Sequence, residues 1–243
     1  MNKSFGFVGR ETVLEELGGF YSERRHVLVV GSAGIGKTAL LRHLKQTCPM
    51  LLCEEASGLQ SICDYLERQL GWTDDELDLI ERKNRLLAAL ERRRQPVIFD
   101  QVRAVPPRVA RFIGHLTDRI PVWIAGRSDS RKDIGHVWEH LYKFARIEIP
   151  PLAKSETSAL VENAVAQGTI QPDARRYTAQ LHRISRGVPR VLEELLTELA
   201  ARKYKMDTSF GWDLLKLDGH IRELAQWRTD LGREQAKIRR SER

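Results

Sequence analysis

Gly31-Ser32-Ala33-Gly34-Ile35-Gly36-Lys37-Thr38 follows the apolar run His26-Val27-Leu28-Val29-Val30 and leads into Ala39-Leu40-Leu41-Arg42-His43-Leu44. A short apolar run, a glycine-rich turn and a helix-like stretch in that order predict a strand, a phosphate-binding loop and a helix. The glycines let successive backbone N–H groups turn inward toward phosphate oxygens, and the helix N-terminus behind them adds its positive dipole end. In such a loop Lys37 reaches the β- and γ-phosphates of a nucleotide and the Thr38 hydroxyl ligates Mg²⁺. Ala39, at the start of the helix, completes the candidate phosphate-binding set of Gly31, Ser32, Ala33, Gly34, Ile35, Gly36, Lys37 and Thr38.

The 243 residues, 42% hydrophobic and 30% charged, suffice for one sizeable core with a small second domain. No stretch approaches the roughly 18 consecutive apolar residues of a membrane span, and Met1-Asn2-Lys3-Ser4 runs straight into a mixed segment rather than a signal-peptide core. A cytoplasmic protein with no membrane partner is expected. Cys48, Cys53 and Cys63 are odd in number and lack metal-ligand spacing, so they read as ordinary thiols of a reducing compartment. The net charge of +7 suits contact with nucleic acid or with an acidic partner, and charge alone does not choose between them. Arg92-Arg93-Arg94 ends a helical pattern over 74–94, where cations offset the negative end of the helix dipole. A solvated helix end is its simpler reading.

Along the chain, 11–20 reads as an amphipathic helix, 26–30 as a strand, 38–46 as a helix, 49–53 as a strand and 59–70 as a helix. Further strands are expected at 96–100, 121–125 and 145–149, each after a helical pattern. That alternation predicts an α/β fold: a parallel five-stranded sheet with helices on both faces. After Pro150-Pro151 only helical patterns follow, at 155–167, 172–185, 188–203 and 212–240. The expected division is a phosphate-loop core over 1–151, a helical lid over 152–206 and a C-terminal helical extension with a basic tail over 207–243. In that extension Leu214, Leu217, Ile221, Leu224, Trp227 and Leu231 form one apolar helix seam. No solenoid repeat or low-complexity linker interrupts the chain.

Asp100 ends an apolar strand downstream of the phosphate loop, where a second magnesium-side carboxylate is needed. In such sites the Asp holds Mg²⁺ through water and completes a clamp with Thr38. Gln101 occupies the place where a carboxylate commonly polarises the attacking water. A neutral amide orients water but does not accept its proton at pH 7, so slow hydrolysis is expected.

Phe7-Val8-Gly9-Arg10-Glu11, the Asp100 strand, Ala125-Gly126-Arg127, Ile149-Pro150-Pro151-Leu152 and Gly187-Val188-Pro189-Arg190 stand in the order of the motifs of AAA+ ATPases. Over residues 5 to 203 the chain resembles that P-loop family, and more narrowly its STAND signalling, origin-recognition-type and transposition-regulator members. The resemblance implies ATP and Mg²⁺ as cofactors, with Val8 and Gly9 against the adenine and Arg10 beside them. It also implies Arg127 as a first sensor near the γ-phosphate, Pro189 against the base and Arg190 as a second sensor. Guanidinium groups suit that task because each offers bidentate donors to phosphate. Two positions depart from the pattern. Lys143-Phe144-Ala145-Arg146 stands where assembling relatives place an arginine finger, and neither cation is a clear match. Gln101 is either native or a deliberate replacement of Glu that traps bound ATP.

Three functions follow from these residues. An ATP/ADP-controlled switch acting on duplex DNA or a DNA-bound assembly fits the charge and the tail, where Arg228, Arg233, Lys237, Arg239, Arg240 and Arg243 outnumber Asp230, Glu234 and Glu242. Such a switch could form an ATP-dependent homo-oligomer. A STAND-like signalling or defence ATPase, acting through a separately encoded protein partner, fits Arg127 and Gly187-Val188-Pro189. A small-molecule kinase explains the loop but not the Phe7 motif, the helical C-terminal third or Arg190.

Overall fold

A computed structural model describes residues 8–54, 56, 58–72 and 77–201. Five parallel strands, β1 (Val27–Val30), β2 (Leu51–Cys53), β3 (Val97–Phe99), β4 (Val122–Gly126) and β5 (Ala145–Glu148), form one sheet in the order β2-β3-β4-β1-β5. β1 aligns Val27 with Trp123 of β4 on one side and with Ala145 of β5 on the other. β1 through β4 are buried along their whole length, as their continuous apolar runs require of a parallel sheet covered on both faces.

Alternate side chains feed two separate cores. Val27, Val29, Ile98, Trp123 and Ala125 pack with Leu17 of α1 (Glu11–Ser22) and with Leu40, Leu41 and Leu44 of α2 (Lys37–Thr47). Leu28, Val30, Val97, Phe99, Val122 and Ile124 pack on the opposite face with α3 (Leu59–Leu70), α4 (Leu79–Arg93) and α5 (Pro107–Thr117). The predicted α/β architecture with helices on both faces is therefore present.

α4 starts later than its hydrophobic pattern suggested, because Asp78 caps it. The Asp78 carboxylate accepts from Ile80 and Glu81 N–H while Glu81 accepts from Asp78 N–H, a reciprocal box that fixes the first turn. A buried ionic clamp joins α3 to α4: the Arg82 guanidinium donates to Glu67 and, at 2.5 Å, to Asp64. At the edge strand β2, the Gln69 amide takes the part of a missing neighbour. It donates to Leu52 O at 2.7 Å and accepts from Leu52 N–H at 3.2 Å, which blunts an edge open to strand addition.

Between β4 and β5 lie the short α6 (Arg131–Ile134) and a 3-10 helix (His136–Lys143). The chain divides into two compact units. The first comprises residues 7–156 with 188–190, and the described part of the second comprises 157–187 and 191–201. α7 (Lys154–Ala166) leads into the second unit, and α9 (Pro189–Ala200) contributes its later turns. The helix expected over 172–185 is a 3-10 turn (Pro172–Tyr177) followed by α8 (Thr178–Ser185). There the Thr157 hydroxyl meets His182 Nδ1 at 2.8 Å, and Arg175 pairs with Glu162. Phe7, the predicted C-terminal extension with its apolar seam, and the basic tail lie outside the described residues. Among the described residues no helix is long and apolar enough to cross a membrane.

His26, just before β1, accepts the Val122 N–H on Nδ1 at 3.0 Å. Burial and the nearby Lys143 ammonium hold it below its ordinary value of 6.5, against the opposing pull of Asp118 and the Thr117 carbonyl. Below pH 6.5 the unfolded chain takes up a proton that the folded imidazole resists, so stability falls as the pH drops from there. His26→Asn, whose carbonyl can accept the same N–H without titrating, is expected to flatten this loss in urea midpoints measured between pH 7.5 and 5. An unchanged slope would assign the acid sensitivity to another group.

Candidate functional site

In a parallel sheet the loops that leave the strands gather at one edge, and ligands bind outside those carboxyl ends. Gly31 follows β1, Asp100 follows β3, Arg127 follows β4 and Pro150 lies just past β5. β4 separates the strand of the phosphate loop from the strand of Asp100, so Thr38 reaches Asp100 by projecting from the first turn of α2.

The turn between β1 and α2 is held by its carbonyls. Lys37 Nζ donates to Gly31 O at 2.6 Å and to Ser32 O at 3.1 Å. Gly34 O accepts the Arg190 N–H at 3.2 Å, Ile35 O accepts Arg10 Nη2 at 3.1 Å, and Gly36 O accepts the first intrahelical bond, from Leu40. The amides are treated differently. Among the described residues those of Ala33, Gly34 and Gly36 find no backbone carbonyl, and those of Lys37, Thr38 and Ala39 open α2, where a helix has no acceptors of its own. The Ile35 N–H turns back to Ser32 O at 3.3 Å; the remaining N–H donors stand at a helix N-terminus, an arrangement suited to anionic oxygens.

Two positions in the turn require glycine. Gly34 has φ +77°, and a Cβ there would lie 2.8 Å from the Arg190 Cβ; Gly36 has φ +96°. Both adopt the left-handed conformation that side chains disfavour. Ser32, Ala33 and Ala39 are exposed, whereas the Ile35 side chain is buried in the α1–α2 core and anchors the turn.

The Thr38 hydroxyl donates to Asp100 Oδ2 at 2.5 Å, and the Gln101 N–H donates to Asp100 Oδ1 at 2.8 Å. Asp100 is fully buried, yet both its oxygens are engaged, which offsets the cost of burying the charge. Gln101 is exposed and left-handed, with φ 52°. Burial lowers the pKa of the Lys37 ammonium; Asp100 opposes the shift, while Arg127 and then Arg103 add to it. Arg127 is exposed directly beyond β4.

Arg10 is buried, and its charged end is committed to backbone. Besides Ile35 O it donates to Pro150 O, and its own N–H donates to Glu156 Oε1 at 2.9 Å. Burial lowers its pKa, and Glu156 opposes that effect. The guanidinium ties the phosphate turn to the segment beyond β5. Gly9, at φ +77°, leaves room for Glu156: a Cβ there would stand 2.5 Å from the carboxylate oxygen. Val8 is half-buried beside it. Pro189 opens α9 close to Gly36, and Arg190 follows over Gly34. Lys143 is paired with Asp118, and Arg146 with Asp129 and Glu148.

The structure thus brings Lys37, Thr38, Asp100 and Gln101 to one edge with Arg127, and sets Pro189 and Arg190 on the turn. Two residues escaped the sequence reading. Glu156 looks like an ordinary first-turn helix acid, and no local pattern links it to Gly9 and Arg10. Arg103 stands in a loop with no motif of its own.

No protein-family model matches this chain, and no curated protein matches it in sequence. Solved structures do match in fold. Cdc6p from Pyrobaculum aerophilum superposes with a TM-score of 0.61 at 17% identity, over 82% of this chain and 64% of that one. The Aeropyrum pernix Orc1 protein, solved in complex with DNA, gives 0.60 at 18% identity, over 83% and 63%. A Walker-type ATPase of Pyrococcus abyssi gives 0.64 at 13% identity, over 96% and 78%. The chain spans a little under two thirds of the length of the Cdc6p and Orc1 chains. Strand order, phosphate turn and these superpositions agree that the chain has the fold of the AAA+ P-loop ATPases related to the origin-recognition type.

Proposed function

We propose that the chain is an ATP-binding, slowly hydrolysing molecular switch that couples its nucleotide state to assembly on duplex DNA or on a DNA-bound partner complex. The observation that carries the nucleotide half is the turn whose carbonyls at Gly31, Ser32, Gly34, Ile35 and Gly36 are tied to protein while, among the described residues, its amides at Ala33, Gly34 and Gly36 find no backbone carbonyl. Mg²⁺ fits the adjoining oxygens. Among the described residues no group of three or more His, Cys, Asp or Glu could hold a metal, but Mg²⁺ is usually bound through one or two protein oxygens, with phosphate and water completing its octahedron. Thr38 and Asp100 would supply that protein side, and the ion would neutralise charge on the terminal phosphates.

In this reading Lys37 exchanges its carbonyl partners Gly31 and Ser32 for the β- and γ-phosphates. Val8, Gly9 and Pro189 line the base, with Arg10 acting behind them by holding the turn to Pro150. Arg127, after β4, and Arg190, over Gly34, register the third phosphate. The region 152–206 acts as the lid. Gln101 follows the magnesium-side carboxylate without being able to accept a proton, which supports slow turnover.

The DNA half rests on the net charge of +7 and on the fold shared with Orc1. A second reading, a STAND-like ATPase that signals to a separately encoded protein, is favoured by Gly187-Val188-Pro189, which leads into the residues seated on the phosphate turn.

Gln101→Glu supplies the missing base and is expected to raise steady-state ATP hydrolysis about ten-fold or more, since general-base assistance is commonly worth 10²–10⁴. A flat rate in phosphate-release assays would place water activation elsewhere. DNA contact is expected to be tighter with ATP than with ADP and to weaken steeply with salt, with a slope near 0.9 per phosphate neutralised. Fluorescence anisotropy with labelled duplex at low and moderate salt checks this. No binding at low salt with ATP present would favour the protein-partner reading.

A further inference from the structure

The segment after Asp100 is a strap fastened across the ends of β3 and β4. Val102 N–H donates to Ala125 O at 3.0 Å, Ala104 N–H to Asp133 O at 2.8 Å and Val105 N–H to Ile134 O at 3.2 Å; Val105 O accepts from His136 N–H at 3.0 Å. Val102 and Val105 are buried to 1% exposure, which pins the strap from below. Gly135 makes this approach possible, since a Cβ there would stand 2.3 Å from Val105 N. Gln101 and Ala104 hold left-handed φ values of 52° and 41°, conformations that persist only where surrounding structure imposes them. Between these fixed points Arg103 is exposed.

The strap crosses the same carboxyl edge that carries Lys37, Asp100 and Arg127, and Arg103 lies close enough to be felt electrostatically at Lys37. Among the described residues Arg103 has no hydrogen bond or ion pair, in contrast to Arg10, Arg82 and Arg146. Asp100 faces Lys37 with both its oxygens already engaged, and Asp133 faces Arg127. Three cations, Lys37, Arg103 and Arg127, thus stand at this edge against two carboxylates, Asp100 and Asp133. A third guanidinium on a rigid backbone carries a small entropic cost for binding, because the protein has already ordered the segment that holds it.

We infer that Arg103 is a further ligand-recognition residue of the site, a guanidinium supplied in cis by the strap between β3 and β4 that contacts the terminal phosphate of a bound nucleoside triphosphate. This rests on the nucleotide reading above and deepens it by adding a determinant that separates triphosphate from diphosphate. Arg103 differs from Arg190 in place: Arg190 sits over Gly34 of the phosphate turn, whereas Arg103 stands beyond Asp100 on the strap.

Calorimetric titration of the full chain with Mg-ATP and with Mg-ADP tests it, using the parent protein, Arg103→Ala and Arg103→Lys. Arg103→Ala is expected to lose about ten-fold or more in ATP affinity, the scale of a hydrogen bond to a charged group. Its ADP affinity is expected to stay within about two-fold, because the diphosphate lacks the contacted group. Arg103→Lys is expected to recover part of the ATP affinity by charge alone. An unchanged ATP-to-ADP ratio in Arg103→Ala, or an equal loss for both nucleotides, overturns the inference while leaving the nucleotide reading intact. A parent protein that binds neither nucleotide overturns both.

Discussion

The carbonyls of Gly31, Ser32, Gly34, Ile35 and Gly36 all have donors within the protein, while among the described residues the amides of Ala33, Gly34 and Gly36 find no backbone carbonyl. This one-sided satisfaction organises the rest of the site. Unpaired backbone donors cost free energy unless water or a ligand meets them, so a turn of this kind is stable only if its carbonyl side is held firmly. Three separate parts of the chain do the holding. Arg10 binds from the entry to α1, Arg190 from the start of α9, and the buried Ile35 side chain anchors the turn from within.

The sheet explains why chemistry gathers at this one edge. Along β1 to β4 both faces are consumed by apolar cores, so the polar groups of the site come from the loops and the helix start at the strand ends. Because the strands are parallel, the turn after β1, Asp100 after β3 and Arg127 after β4 share one edge. The direct bond between Thr38 and Asp100 spans the gap that β4 creates, and it joins the turn to the strap that carries Arg103. That strap is fixed by backbone bonds and two buried valines rather than by side-chain charge, and Arg103 at its centre has no hydrogen bond or ion pair among the described residues.

Much of this was legible from residues alone because it rests on local patterns. Apolar runs of strand length alternating with helical stretches are what a two-sided parallel sheet demands, and the spacing of Gly34, Gly36, Lys37 and Thr38 encodes a backbone path. Asp100 was visible as an acid ending an apolar strand. What escaped depends on contacts between residues far apart in sequence. Arg10 reads as part of a motif, but its bonds to Ile35 O and Pro150 O arise only when the chain is folded. Glu156 becomes part of that arrangement only because Gly9 leaves room for it. Helix starts were missed where side-chain bonding decided them, as at Asp78, and Arg103 has no signature because its place is set by the bridge between Val105 and Gly135.

If the turn from Gly31 to Thr38 binds the phosphates of ATP, Lys37 has to leave its carbonyl partners to reach them. Calorimetry with Mg-ATP on the parent chain and on Lys37→Ala, with folding checked by circular dichroism, tests this most directly. Measurable binding by the parent and none by a folded Lys37→Ala variant are expected, since backbone amides only partly offset the phosphate charge. Unchanged ATP affinity in the folded variant would contradict it.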